Sequence, residues 1–180
     1  MGDAVIVSAV RTAVGTMGGG LSTVAAPNLG AVTIKEAIAR SGIQDNVFPD
    51  EVLMGNVIQA GIGQNPARQA SIQSGLPVSV PATTINKVCG SGIKTIVMAA
   101  QAIKAGDADY MIAGGMESMS LGPYILQNGR YGYRLGNSEL IDSTVHDGLW
   151  CAMEDCHMGI TAENVSAEYG VSREDQDEFA

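Results

Sequence analysis

The sequence is short of several things, and each shortage narrows what the protein can be. It has 10 basic residues against 19 acidic ones, a net charge of −9 over 180 residues. That balance argues against nucleic-acid binding as the main task. No apolar run approaches the roughly 18 residues of a membrane span, so no membrane partner is expected. Met1-Gly2-Asp3 leads straight into Ala4-Val5-Ile6-Val7 without a charged flank, so no secretory signal is read. Ile6 stands where a myristoylation motif needs Ser or Thr. Only three cysteines are present. They cannot all pair within one chain and their spacing suggests no disulfide framework, which points to a reducing, cytoplasmic compartment.

Acidic residues are also missing locally. No Asp or Glu occurs from Val52 to Gly106, a stretch that holds Arg68, Lys87, Lys94 and Lys104. The negative charge is concentrated instead in residues 131–180, with 11 acidic and 2 basic residues. Acidic helix faces that keep a protein soluble explain such a tail, but the acid-free stretch is a comfortable setting for an anion or thiolate. It contains Cys89. Glycine and proline together supply 29 residues; at about 16% this is short of the ~25–30% that marks low-complexity chain. Global disorder is therefore excluded.

What is present alternates between two periods. Ala4–Val10 is short, apolar and β-branched, and reads as a buried strand. Leu29, Val32, Ile34, Ala37 and Ile38 follow with helical spacing between Pro27 and Gly42. Glu51–Val57 reads as a second strand, and Asn65-Pro66 opens a short helix that stops by Gly75. Ala82–Lys87 is a third strand, and Asp109–Ala113 a fourth. Between them Ile93, Ile96, Val97, Ala100 and Ile103 mark one face of a long helix closed by Gly106. The alternation predicts an α/β fold, a parallel or mixed sheet layered with helices.

The pattern changes after residue 116. We expect one α/β domain over 1–116 and a partial loop domain over 117–180. Residues 117–148 show little periodicity, and connections of that length are usually functional or docked on a partner. Helical character returns over Gly159–Glu168, and Ser172 reads as an N-cap with Glu174 and Asp175 behind it. The last helix has no stop signal before Ala180.

Among chemical motifs, Asn86-Lys87-Val88-Cys89-Gly90-Ser91-Gly92 joins a strand to the long helix. A cysteine at a helix N-terminus is favoured as a thiolate. Gly90 and Gly92 permit a sharp turn and close approach of substrate to N–H groups that can hold an oxyanion. The alternative is a buried structural cysteine, and the acid-free surroundings favour the nucleophile. Gly61-Ile62-Gly63 lacks the third glycine and the downstream acid of a dinucleotide loop. Gly18-Gly19-Gly20 lacks the ending of a phosphate-binding loop. Cys151, Cys156 and His157 match no zinc spacing, so packing is the better reading and no metal is expected. His157, at a helix start, is either a satisfied structural residue or faces a ligand at that helix end.

Taken together, Val10-Arg11-Thr12, the run from Gly63 to Ala70, the Cys89 motif, Ala113-Gly114-Gly115-Met116-Glu117-Ser118 and the run from His157 to Asn164 resemble the thiolase family. The likeness is to the N-terminal part of the biosynthetic acetyl-CoA acetyltransferase type, and it spans essentially the whole chain. Ketoacyl synthases share the architecture but differ after the nucleophile. The resemblance implies a first thiolase repeat plus part of a loop region. It also implies that Cys89 takes an acyl group from acyl-CoA, and that a second acyl-CoA, deprotonated at its α-carbon, attacks the acyl-enzyme. Acetyl-CoA and acetoacetyl-CoA would be the substrates, in fatty acid metabolism, with coenzyme A thioesters as reactants and no separate cofactor. Leu149, His157 and Met158 correspond to positions lining the pantetheine channel, and the segment 117–148 to one that takes part in contacts within a homo-oligomer, a tetramer or dimer. The family's Gly-His-Pro histidine, Cys-x-Gly cysteine and Asn-Glu-Ala-Phe element are absent from these residues. The chain alone is therefore expected to be inactive, with a non-catalytic half that binds CoA esters or a partner as the alternative.

Overall fold

A computed structural model describes residues 3–180. The start at Met1-Gly2, on which the missing leader and lipidation signals were read, lies outside the described residues. Two compact units follow one another, the first ending at Pro123 and the second running from Tyr124 to Ala180. The division falls beyond the 116/117 boundary expected from composition. Met119–Leu121, a 3₁₀ turn, stays with the first unit because Ser118 Oγ donates to Val24 O at 2.7 Å and Gly18 N donates to Ser120 Oγ at 3.0 Å.

In the first unit, α1 (Ala26–Arg40), β1 (Glu51–Gly55), α2 (Pro66–Gln73), β2 (Ala82–Ile85), α3 (Ser91–Ala105) and β3 (Met111–Gly115) alternate along the chain. The three strands form a parallel sheet in the order β2-β1-β3. β1 is central and apolar on both faces, with Val52, Leu53 and Met54 all buried, as a covered parallel strand requires. Successive residues of a strand point to opposite faces, and the glycines show what lies on each. A Cβ at Gly30 of α1 would come 3.4 Å from Met54 Cε, whereas one at Gly55 would come 2.7 Å from Ser91 Cβ of α3. The sheet is thus sandwiched between helices. Its core joins Ala26 and Ile34 of α1 to Val52, Met54, Ala67, Ala70 and Ile112.

Local signals set the ends of these elements. Pro27 sits in the first turn of α1, where its missing N–H costs no hydrogen bond. Asn65 caps α2 by accepting from Arg68 N. Gly106, at φ 84°, closes α3 in the left-handed conformation that glycine adopts without penalty.

One expectation is corrected. Ala4–Val10 is not paired into the sheet; Val5, Ile6 and Val7 are 74%, 75% and 55% exposed. The segment and the outer edge of β3 line a cavity of about 760 Å³, into which Ile96, Ala100 and Ile103 also face. Composition gave the segment its strand character, but a strand needs a hydrogen-bonding neighbour, and here that position is open. Helix α3 lies close on the sheet. Its buried residues are Ser91, Thr95 and Ala99, while Ile93 is 68% exposed. The aliphatic stripe is therefore not the face laid on the sheet. Small residues hold that face because the glycines at 55 and 115 bring helix and strands close together; a Cβ on Gly115 would lie 3.3 Å from Gly92 Cα. Thr95 fits by donating its hydroxyl to Gly92 O (2.7 Å) and Gly114 O (2.9 Å).

The second unit contains the antiparallel ribbons β4–β5 (Tyr124–Ile125 with Ile141–Asp142) and β6–β7 (Trp150–Cys151 with Cys156–His157). A π-helical turn, Thr144–Leu149, precedes β6. Helix α4 (Met158–Tyr169) ends at Gly170, and α5 (Arg173–Phe179) opens on Ser172 as its N-cap, as the sequence led us to expect; Asp175 completes a reciprocal capping box. Among the described residues no helix is long and apolar enough to cross a membrane.

The tight seat of α3 has a measurable consequence. Gly55→Ala drives a methyl group into Ser91 and is expected to cost about 1–3 kcal/mol in urea unfolding. Gly20→Ala, with open space around the new methyl, is expected to stay within about 0.5 kcal/mol. Equal midpoints for the two variants would contradict this packing.

Candidate active site

Cys89 lies between the end of β2 and the start of α3, and it is exposed. The turn that presents it is strained. Val88 has φ 49°, a left-handed conformation that a β-branched residue occupies at a cost of about 1–3 kcal/mol and that gathers at functional sites. Ser91 holds it there. Its hydroxyl donates to Val88 O at 2.6 Å and accepts from Lys87 N at 2.8 Å, and the residue is only 4% exposed. Asn86 Oδ1 accepts from Val88 N at 2.9 Å. Turn bonds run from Gly90 N to Lys87 O and from Ser91 N to Val88 O. The cysteine is thus carried on a pinned elbow, with its own N–H and the first turn of a helix beside it.

A second group of residues sits at the same carboxyl edge of the sheet, the edge at which open parallel sheets hold ligands. Asn56 follows β1 and Glu117 follows β3. The buried Asn56 donates through Nδ2 to Glu117 Oε1 at 2.7 Å and to Met116 O at 3.2 Å. Glu117 also accepts from Val57 N at 2.8 Å and Ile58 N at 3.3 Å. Met116 N donates to Gly55 O and Asn56 N to Ile85 O, so this clasp ties all three strand ends together beneath the first turn of α3. Burial pushes the carboxyl of Glu117 above its ordinary value, although the N–H groups of Val57, Ile58 and Ser118 and the Asn56 amide all act the other way.

The remaining candidate positions belong to the second unit. Leu149 ends the π-helical turn and is half-buried, as are His157 and Met158. Trp150 pairs with His157 across the β6–β7 ribbon, which places Leu149 and Met158 directly beyond the two ends of that pair. His157 is the N-cap of α4: its Nδ1 accepts from Gly159 N at 3.0 Å, so the neutral ring carries its proton on Nε2. Among the described residues no three His, Cys, Asp or Glu side chains converge as a metal centre.

Sequence reasoning found Cys89 and the glycines around it but gave no role to Val88, Asn56 or Glu117. Nothing in a valine signals a positive φ. Glu117 stood in a motif quoted only for likeness, and the link to Asn56 spans 61 residues of chain.

The family model for the thiolase N-terminal domain matches residues 4–180. An acetyl-CoA acetyltransferase of Cupriavidus necator is 57% identical over 180 residues, all of this chain and 46% of its own length. One from Escherichia coli K12 is 58% identical over 181 residues, again 46% of its length. A probable acetyl-CoA acyltransferase of Staphylococcus aureus is 49% identical over 176 residues, 98% of this chain and 44% of that one. The chain thus spans about half the length of the curated relatives it matches.

The raised carboxyl of Glu117 gives the strand clasp a pH signature. A group whose folded-state pKa lies above its ordinary 4.5 binds its proton better in the folded chain. Its contribution to stability is complete below that ordinary value and is lost as pH rises through the raised one. Glu117→Gln cannot titrate, so its stability relative to wild type should climb over that interval when both are unfolded in urea across a pH series. A difference that stays constant or shrinks with rising pH would contradict the desolvated carboxyl.

Proposed function

The chain belongs to the thiolase family by its N-terminal domain, and from that premise we propose that the whole protein is an acyl-CoA acyltransferase working through Cys89. The observation that carries the reading is the Val88 elbow: a strained, hydroxyl-pinned turn that sets an exposed cysteine at the carboxyl edge of a parallel sheet. The thiolate of Cys89 attacks the thioester carbonyl of acyl-CoA, and the CoA thiolate leaves. One thioester replaces another, so the exchange is close to balanced, and a thiolate serves as both nucleophile and leaving group. The backbone N–H of Cys89 is proposed to contribute to an oxyanion site at this centre. In the second step the α-carbanion of another acyl-CoA attacks the acylated Cys89, releases its thiolate and yields a 3-ketoacyl-CoA. Thiolysis is the reverse.

Acetyl-CoA and acetoacetyl-CoA are the proposed substrates, in keeping with the names of the relatives. Leu149, His157 and Met158 are proposed to line the pantetheine path, with no cofactor besides the CoA thioesters themselves. We place the protein in the cytoplasm as a homo-oligomer, in fatty acid metabolism. No residue among these 180 is assigned to remove the α-proton, since the Gly-His-Pro and Cys-x-Gly motifs are absent. The chain alone is therefore proposed to accept an acyl group or bind CoA esters without completing condensation.

Iodoacetamide near neutral pH should label the exposed Cys89 at least about tenfold faster than the half-buried Cys151 and Cys156. In a protein of the relatives' length, Cys89→Ala should lower kcat by about a thousandfold or more. Equal labelling of all three cysteines, or an active Cys89→Ala enzyme, would remove Cys89 from the mechanism.

A further inference from the structure

Cys151 and Cys156 stand opposite each other in the β6–β7 ribbon, in register as one cross-strand pair beside Trp150 and His157. Directly opposed residues of an antiparallel pair have Cα atoms about 4.5–5.5 Å apart, and their side chains leave the same face of the ribbon. A disulfide asks for a Cα separation of about 4.4–6.8 Å. The register alone thus brings the two thiols within bonding reach without any change in strand pairing. Both are free and half-buried, whereas the exposed Cys89 belongs to the first unit.

The turn between them is well held. Asp155 takes a left-handed conformation at φ 50°, and its carboxylate accepts from Trp150 Nε1 at 2.9 Å. Glu154 N donates to Cys151 Sγ at 3.4 Å, so that sulfur is turned toward the loop that leads to Cys156. No metal spacing fits these cysteines, and the acyl-transfer reading makes no use of them.

We infer that Cys151 and Cys156 form a reversible cross-strand disulfide, a modification site independent of the reaction at Cys89. With glutathione disulfide as oxidant, one cysteine thiolate attacks a glutathione sulfur, and the other glutathione leaves as thiolate. The second cysteine thiolate then attacks the protein sulfur of that mixed disulfide and displaces the remaining glutathione. Two protein thiols lose two electrons, one glutathione disulfide becomes two glutathiones, and the protons released by the cysteines pass to them. Only four residues lie between the cysteines. Closing so short a loop removes little entropy from the unfolded chain, so the bond is one that a reducing compartment opens and an oxidising one closes. Closure would clamp the ribbon one residue before His157, the cap of α4.

The test equilibrates the whole chain with glutathione buffers of increasing oxidation, quenches with acid and reads tryptic peptides by mass spectrometry. Leu135–Arg173 carries both cysteines, and Val88–Lys94 carries Cys89 alone. The expected product is Leu135–Arg173 lighter by two hydrogens, free of glutathione and inert to iodoacetamide until reduced, while Val88–Lys94 gains at most one glutathione. Because short-range cysteines also close in an unfolded chain, the series is repeated in urea. The folded register should raise the equilibrium constant at least about tenfold, about 30 mV for this two-electron couple. A ratio of one or below overturns the proposal. So does native Leu135–Arg173 that stays reduced in pure glutathione disulfide or retains glutathione on either cysteine. Cys151→Ser leaves Cys156 without a partner and should hold one glutathione stably in the same buffers.

Discussion

The close seat of α3 on the strand ends is the constraint on which the first unit depends. Gly55 leaves no room for a Cβ where helix and sheet meet, and Gly115 leaves little, so the helix offers Ser91, Thr95 and Ala99 instead of its aliphatic stripe. Each of these residues then has a task beyond filling space. Thr95 joins the helix to Gly114 through its hydroxyl, and Ser91 closes the Val88 elbow. With a larger residue at Gly55, the first turn of α3 would lift and the elbow would lose the hydroxyl that fixes it. Packing and reactivity are in this way set by the same few atoms.

The elbow and the Asn56–Glu117 clasp are two halves of one edge. The clasp fixes the ends of β1, β2 and β3 relative to one another, and the elbow then places Cys89 above that fixed base. Holding a valine in a left-handed conformation costs about 1–3 kcal/mol, and burying a carboxylate against four donors costs desolvation. One cost falls at the residue before the exposed cysteine and the other at the same carboxyl edge of the sheet, as expected where geometry serves chemistry more than stability.

Much of this was legible in the sequence, for identifiable reasons. Pro27, Asn65-Pro66, Gly106 and the Ser172 cap act locally, through steric and hydrogen-bonding effects confined to one turn, so they marked helix ends correctly. The apolar runs of β1 and β3 marked strands. Ala4–Val10 has the same composition, yet a strand also requires an edge to pair with, and composition does not report its neighbour. The stripe on α3 marked the helix but not its seat, for a related reason: periodicity identifies an apolar face but not the surface it meets. Cys89 was visible because its glycines and helix start lie within three residues of it. The Asn56–Glu117 clasp was not, because it joins residues brought together only by the sheet.

Membership of the thiolase family and the half-length match to its relatives leave the role of Cys89 as the central claim, since acyl transfer begins there. Its most direct measurement is the second-order rate of iodoacetamide alkylation at Cys89 in the folded chain and in the same chain unfolded in urea, at one pH. The account predicts a faster reaction in the folded state, because the elbow presents this thiol at the start of a helix, while Cys151 and Cys156 slow down on folding. A folded-state rate at Cys89 equal to or below that of the unfolded chain would contradict it.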